Sequence, residues 1–152
     1  MEVFTIVVEN IAVTAAEDIL AAYAAATKKL QVLAIEMAAN GQTTVGNYPM
    51  RLRYFPSGYT AGSGGSAVTP HNVNPDGAAA SFTAARNNVT QTTGSPVDYV
   101  ATQFNPINGY YWQPPTGVGD EPKGDVSSAL VLSLDSVSGT LNISATIWLR
   151  EI

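Results

Sequence analysis

A single histidine, no cysteine and twelve scattered carboxylates limit the chemistry open to this 152-residue chain. His71 stands between Pro70 and Asn72, without the second His or Cys that a metal site needs at fixed spacing. It reads as a polar loop residue, and no cofactor or metal is expected. Glu17-Asp18 and Asp120-Glu121 are adjacent pairs. Neighbours on a strand point to opposite faces, so neither pair forms an acid–base dyad. The run Gly62, Ser63, Gly64, Gly65, Ser66 lacks the Gly-Lys-Ser/Thr ending of a phosphate-binding loop and does not match a nucleophile elbow. Asn72-Val73-Asn74-Pro75-Asp76-Gly77 faintly follows a calcium loop, but Pro75 interrupts it and the closing glutamate is missing. Turns with Asx hydrogen bonds account for it better. Tyr110-Tyr111-Trp112, followed by Pro114-Pro115, suits a sugar-stacking platform or an interface anchor. It equally suits a core strand with one flanking aromatic exposed. Nothing in this set carries catalysis, and the chain does not read as an enzyme.

The composition points to contact surfaces. Charged residues make up 12% of the chain, about half the usual share, while hydrophobic residues make up an ordinary 45%. Thr, Ser, Asn, Gln, Gly and Tyr replace the missing charge. Such a surface is rich in hydrogen-bonding groups, weak in long-range steering, and prone to association. A net charge of −5 with seven Lys and Arg argues against nucleic acid, whose phosphates need clustered cations. Lys28-Lys29 and Arg51 with Arg53 are the only close basic groups, and both read as solvated faces. The N-terminus MEVFTIVVEN has neither the basic region nor the apolar run of a signal peptide. No run approaches the roughly 18 apolar residues of a membrane span. The sequons at Asn88 and Asn142 read as chance matches without such a signal.

The elements that must carry these residues read mostly as strands. Leu141, Ile143, Ala145, Ile147 and Leu149 alternate with Asn142, Ser144, Thr146, Trp148 and Arg150, the period of a half-buried antiparallel strand. Ala129 to Leu134 sets Leu130, Leu132 and Leu134 on one face, and Asp135 to Gly139 has turn composition, so the two runs read as a hairpin. Met50, Leu52 and Tyr54 alternate with Arg51 and Arg53, a strand with one wet face. Val3 to Val13, Leu30 to Met37 (with a register change), Val97 to Phe104 and Ile107 to Trp112 add further strands, and Ala78 to Ala85 is a small-residue candidate. Short strands separated by turns suggest a single all-β domain over residues 1–152, a sandwich or barrel. Ala15 to Lys29 is ambiguous. Its composition and a possible Thr14 cap with Glu17 favour a helix, while Ile19, Ala21 and Tyr23 would also alternate on a strand.

Between Ala61 and Asp76 the chain carries almost no charge and no large apolar side chain beyond Val68 and Val73. Loops longer than about 12–15 residues are uncommon in compact domains and are usually functional or disordered. Ordering glycines without burial is costly in entropy. This segment is therefore expected to gain order from neighbouring molecules and not by folding back on its own domain.

The run SGYTAGSGGSAVTPHNVNPDGAAASFTAARNNVTQTTG, the Phe104-Asn105 and Trp112-Gln113-Pro114-Pro115 elements and the ending LNISATIWLREI resemble a family of small tailed-bacteriophage virion proteins. The likeness spans nearly the whole chain and is most specific over Gly62 to Asn88 and Trp148 to Ile152. It departs in the alanine-rich stretch Ala21 to Ala26. The resemblance implies a head decoration (cement) protein: an antiparallel two-sheet, jelly-roll-like sandwich with long Gly/Ser/Pro loops, made in the bacterial cytoplasm and set on the capsid surface. It implies a homotrimer bound to the major capsid protein and a strand, not a helix, across Ala15 to Lys29. On this reading Gly62, Ser63, Gly64, Gly65, Ser66, Pro70, His71, Asn72, Tyr110 and Trp112 are the candidate capsid or inter-protomer contacts. A carbohydrate- or receptor-binding sandwich of a phage head or tail is the alternative.

Overall fold

The computed structural model describes residues 2–42, 46–115 and 123–152, and the Asp120-Glu121 pair lies outside them. Two antiparallel sheets pack face to face. The first is built on β1 (Val3–Val13), β3 (Leu30–Ala39) and β12 (Leu141–Glu151), with the short strands β6 (His71–Asn72), β9 (Tyr110–Trp112) and β10 (Lys123–Gly124) at its edges. Its order is β10-β3-β12-β1-β6, with β9 also pairing β3. The second comprises β2 (Glu17–Tyr23), β4 (Tyr48–Phe55), β5 (Ser66–Val68), β7 (Thr83–Asn88), β8 (Val97–Phe104) and β11 (Ala129–Leu134), in the order β5-β7-β2-β11-β4-β8.

Period-two patterning decides which side of each strand faces inward. Along β12 burial alternates without a break from Leu141 to Glu151. In β1, Phe4, Ile6 and Val8 face the core, and the register slips between Val8 and Ile11. Asn10 takes the extra residue with φ of 52°, a conformation that Asn tolerates better than most residues. The slip lets Val13 return to the core opposite Leu141. A second slip in β3, near Leu33, turns Ile35 and Met37 inward and sets Ala34 opposite Trp148 on the outer face. Leu130, Leu132, Leu134, Leu141, Ile143, Ile147 and Leu149 are all buried between the sheets.

β11 and β12 do not form a hairpin. They lie in different sheets, and residues 135–140 form an arch between them. Alternation marks one buried face on each strand, and that is equally satisfied side by side or face to face across a core. An arch of this length readily crosses the roughly 10 Å between packed sheets. The same crossing recurs from β1 to β2, β2 to β3 and β3 to β4. Taking β1, β2, β3, β4, β8, β9 with β10, β11 and β12 as successive frame strands, the sheets run 1-8-3-6 and 2-7-4-5. That is jelly-roll topology. Residues between β4 and β8 are an insertion that adds β5 and β7 to one sheet and β6 to the other.

The ambiguous segment Ala15 to Lys29 is strand only over β2, between β7 and β11, and the alanines from Ala24 on lie beyond it. Ala22 packs into the main core, and Ala21 lies on the outer face with Phe55, Ala129 and Val131, a small second core flanked by Tyr23 and Tyr59. A strand covered on both sides uses small residues well, and this tertiary burial overrides helix propensity. Ala78 to Ala85 is a strand only from Thr83 onward. Its preceding residues instead place Phe82 edge-on to Phe4, with ring centres 5.5 Å apart.

Candidate interface surfaces

Gly62 to Ser66 folds back onto its own domain, contrary to the expectation from its composition. Ser63 and Thr90 exchange backbone hydrogen bonds of 2.9 and 3.0 Å, and Thr60 and Thr93 do the same at 2.9 and 3.0 Å. Ser66 pairs with Arg86 as β5 joins β7. The glycines permit this approach. A Cβ on Gly62 would stand 2.6 Å from Thr90 O and 2.8 Å from Asp18 Oδ2, and one on Gly65 would land on Arg86 O. Gly64, at φ of 84°, presses against Val89. Backbone hydrogen bonding to the chain's own β7 and to residues 90–93 thus supplies the order that burial of large side chains does not.

Beneath this cover lies a buried polar cluster. Asp18 Oδ2 accepts from Thr92 N and Thr92 Oγ1, both at 2.7 Å, and Thr92 Oγ1 in turn accepts from Gly62 N at 3.1 Å. Asn88 Nδ2 donates to the Tyr23 hydroxyl at 3.2 Å. Burial raises the Asp18 pKa, and the Thr92 bonds only partly offset this. Glu17, opposite Leu134 while Asp18 is opposite Ser133, is also pushed up by burial, and its Oε2 has no hydrogen-bond partner. The adjacent carboxylates therefore do face opposite ways. On the same outer face Arg51 and Arg53 each bridge Asp98 and Asp135, at 2.5–3.1 Å. The face read as wet carries this neutralised network, with Arg51 and Asp98 still partly in solvent.

Pro70, His71 and Asn72 sit at the edge of the first sheet, where β6 pairs with Phe4 and Thr5 of β1. Asn72 Nδ2 donates to Glu2 Oε2 and to Ala78 O, each at 2.8 Å. The oxygens of Asn72 and Asn74 accept from Asn74 N and Asp76 N at 2.9 and 3.3 Å. These are Asx turns and not a set of converging cation ligands. Tyr110 and Trp112 occupy the opposite edge of the same sheet, paired through β9 with Met37 and Ile35. Four strand steps of about 4.8 Å put these edges roughly 19 Å apart. The candidate contact residues are thus spread over separate surfaces, and the fold does not gather them into one site.

Tyr110 and Trp112 pack half-buried against the core, whereas Tyr111 is 60% exposed and donates to Gln113 Oε1 at 2.9 Å. Beside Tyr111 is a shallow depression of about 190 Å³ lined by Glu36, Ala38, Asn108 and Gly109. It continues onto the outer face of the first sheet, where Val7, Glu9, Ser144 and Thr146 line a second depression of about 220 Å³. No described insertion covers this face as the β4–β8 insertion covers the other. Sequence reasoning named Tyr111 within the aromatic run, and the alternative of a core strand with one exposed aromatic is what the structure has, but it did not single out Val7 and Thr146 as surface. Their alternation was visible, but which of two polar-leaning faces remains uncovered depends on where the insertion lies.

These features define a jelly-roll sandwich with one outer face partly covered by the β4–β8 insertion and the other without a described cover. The chain matches no family model, no curated protein and no solved structure.

Proposed function

We propose that the chain is a structural virion protein of the capsid decoration (cement) class, binding the major capsid protein on the outside of a phage head and stabilising the shell. The observation that carries the reading is the asymmetry of the sandwich. One outer face is covered over β2 and β11 by the insertion and carries the Arg51, Arg53, Asp98 and Asp135 ion pairs, while the other has no described insertion over it around Val7, Ser144 and Thr146, with Glu9 and Glu36 beside them. Such a surface suits shallow contact repeated many times per particle, individually weak and collectively strong. A homotrimer is part of the proposal and rests on the family resemblance and low charge.

The test is binding to purified undecorated phage shells, with occupancy seen by electron microscopy. Uniform copies over the head, lost in a Val7→Glu/Thr146→Arg variant of unchanged melting temperature, support the proposal. Absence from the head, or unchanged occupancy in that variant, overturns the reading or its docking face respectively. A second reading, a carbohydrate-binding module, is favoured by the exposed Tyr111 ring with Glu36, Asn108 and Gln113 nearby. Glycan binding abolished by Tyr111→Ala would move the assignment there.

A further inference from the structure

Sheet edges carry unpaired backbone donors and acceptors, and proteins blunt them with short strands, prolines, lysines or bulges. Most edges here are blunted in that way. β10 has two residues and begins with Lys123; β6 has two and follows Pro70; β5 and β9 have three each, and Pro114-Pro115 follows β9 closely. β8 is different. It runs for eight residues, and its only charge, Asp98, is already neutralised by Arg51 and Arg53. Its one bulge lies near Tyr99, which leaves Val100 to Phe104 in straight register with β4.

The direction of its free groups follows from the ladder. Asp135 N donates to Pro49 O at 2.9 Å, so Pro49 turns its backbone toward β11. Alternation then turns Met50 toward β8, and its partner Thr102 toward β4. Ala101 and Gln103 are left with N–H and C=O directed away from the sheet and with no backbone partner among the described residues, and both are exposed. Beside them is a shallow depression of about 370 Å³, lined by Pro49, Arg51, Ala101 and Gln103 among others. A free edge with a side-chain pocket next to it is the arrangement used in strand addition.

We propose that β8 pairs antiparallel with β8 of a second copy about a two-fold axis through Thr102, joining the two β8-edged sheets into one. In this register Ala101 meets Gln103 of the other copy, Val100 meets Phe104, and Thr102 meets itself. All five straight residues are paired, no like charges are opposed, and each Gln103 amide lies over the other copy's depression. The straight stretch carries no charge, so two copies meet without repulsion, and the second copy is the partner proposed. The inference does not depend on the capsid reading, since it concerns an edge and not the open face; with the proposed homotrimer, such two-fold pairs would join one trimer to another.

Because the chain has no cysteine, Thr102→Cys introduces a single thiol. A non-hydrogen-bonded antiparallel pair holds its Cα atoms about 4.5 Å apart, within disulfide range. Mild oxidation should give a covalent dimer on a non-reducing gel, while Ser66→Cys on the β5 edge should give none. Adding Ala101→Pro removes an outward N–H from each copy and leaves the β4 ladder intact. It should lower the cross-linked fraction at least about tenfold, with the melting temperature reporting that the fold survives. No dimer from Thr102→Cys, dimer equal to the Ser66→Cys control, or cross-linking unaffected by Ala101→Pro would each overturn the proposal.

Discussion

Replacing Thr92 by Val keeps the side-chain shape and deletes one hydroxyl, and so isolates what holds the insertion over β2. In the wild type Asp18 Oδ2 receives two bonds from Thr92 at 2.7 Å, and the same hydroxyl receives Gly62 N at 3.1 Å. The variant leaves an almost fully buried carboxylate with the Thr92 amide alone. Hydrogen bonds to charged groups contribute about 1.5–3 kcal/mol. Gly62 is only partly buried, and its N–H recovers part of its loss from water, so the expected total is about 2–3 kcal/mol. For a chain of this size that lowers Tm by roughly 5–10 °C. The pH dependence is the sharper signature. Burial raises the folded pKa of Asp18, so its linked stability is fully present below the unfolded carboxylate pKa and is lost as pH rises through the folded one. Removing the hydroxyl, which favours the ionised form, raises the folded pKa further. The Thr92→Val penalty should therefore be greatest near pH 7 and shrink toward pH 4. Urea unfolding of both proteins across that range measures it. A penalty below about 0.5 kcal/mol at pH 7, within the usual scatter of surface substitutions, or one that grows on acidification, would refute the latch.

Other expectations are simpler. Gly65→Ala sets a methyl against Arg86 O and Asn88 Oδ1 and should cost about 3 kcal/mol, whereas Gly41→Ala, at φ of 68° in open space, should cost about 1 kcal/mol; equal urea midpoints would contradict the close packing of the glycine run. Ile143→Asp places an unpaired charge at a fully buried position and should prevent folding, and a cooperative melt near the wild-type temperature would falsify the β12 register. Phe82→Ala removes the ring packed edge-on to Phe4 and should cost about 3–5 kcal/mol. Circular dichroism melts check it, and a loss under 1 kcal/mol, well below that range, would mean that Phe82 only caps the surface.

Much of the strand content is local and legible. Apolar residues at period two identify β4, β11 and β12 and a core-facing side of each, and composition alone marks β1 and β8 as strands, because an apolar face must leave water whatever the partner. Partnership is another matter. Backbone ladders are indifferent to side-chain identity, so the alternation that marks β11 and β12 cannot tell a hairpin from an arch across the core. Ala21 and Ala22 are uninformative alone, since alanine suits a helix or a strand buried on both sides, and only β7, β11 and the overlying insertion decide. The glycine run misleads for the same reason: its lack of large side chains suggests a segment waiting for a partner, when the missing Cβ atoms are what let it lie against Thr90, Asp18 and Arg86. Side-chain chemistry is written residue by residue in the sequence. Which outer face the insertion covers and which described strand edge is left without a partner are decided by long-range backbone contacts that form only in the tertiary fold.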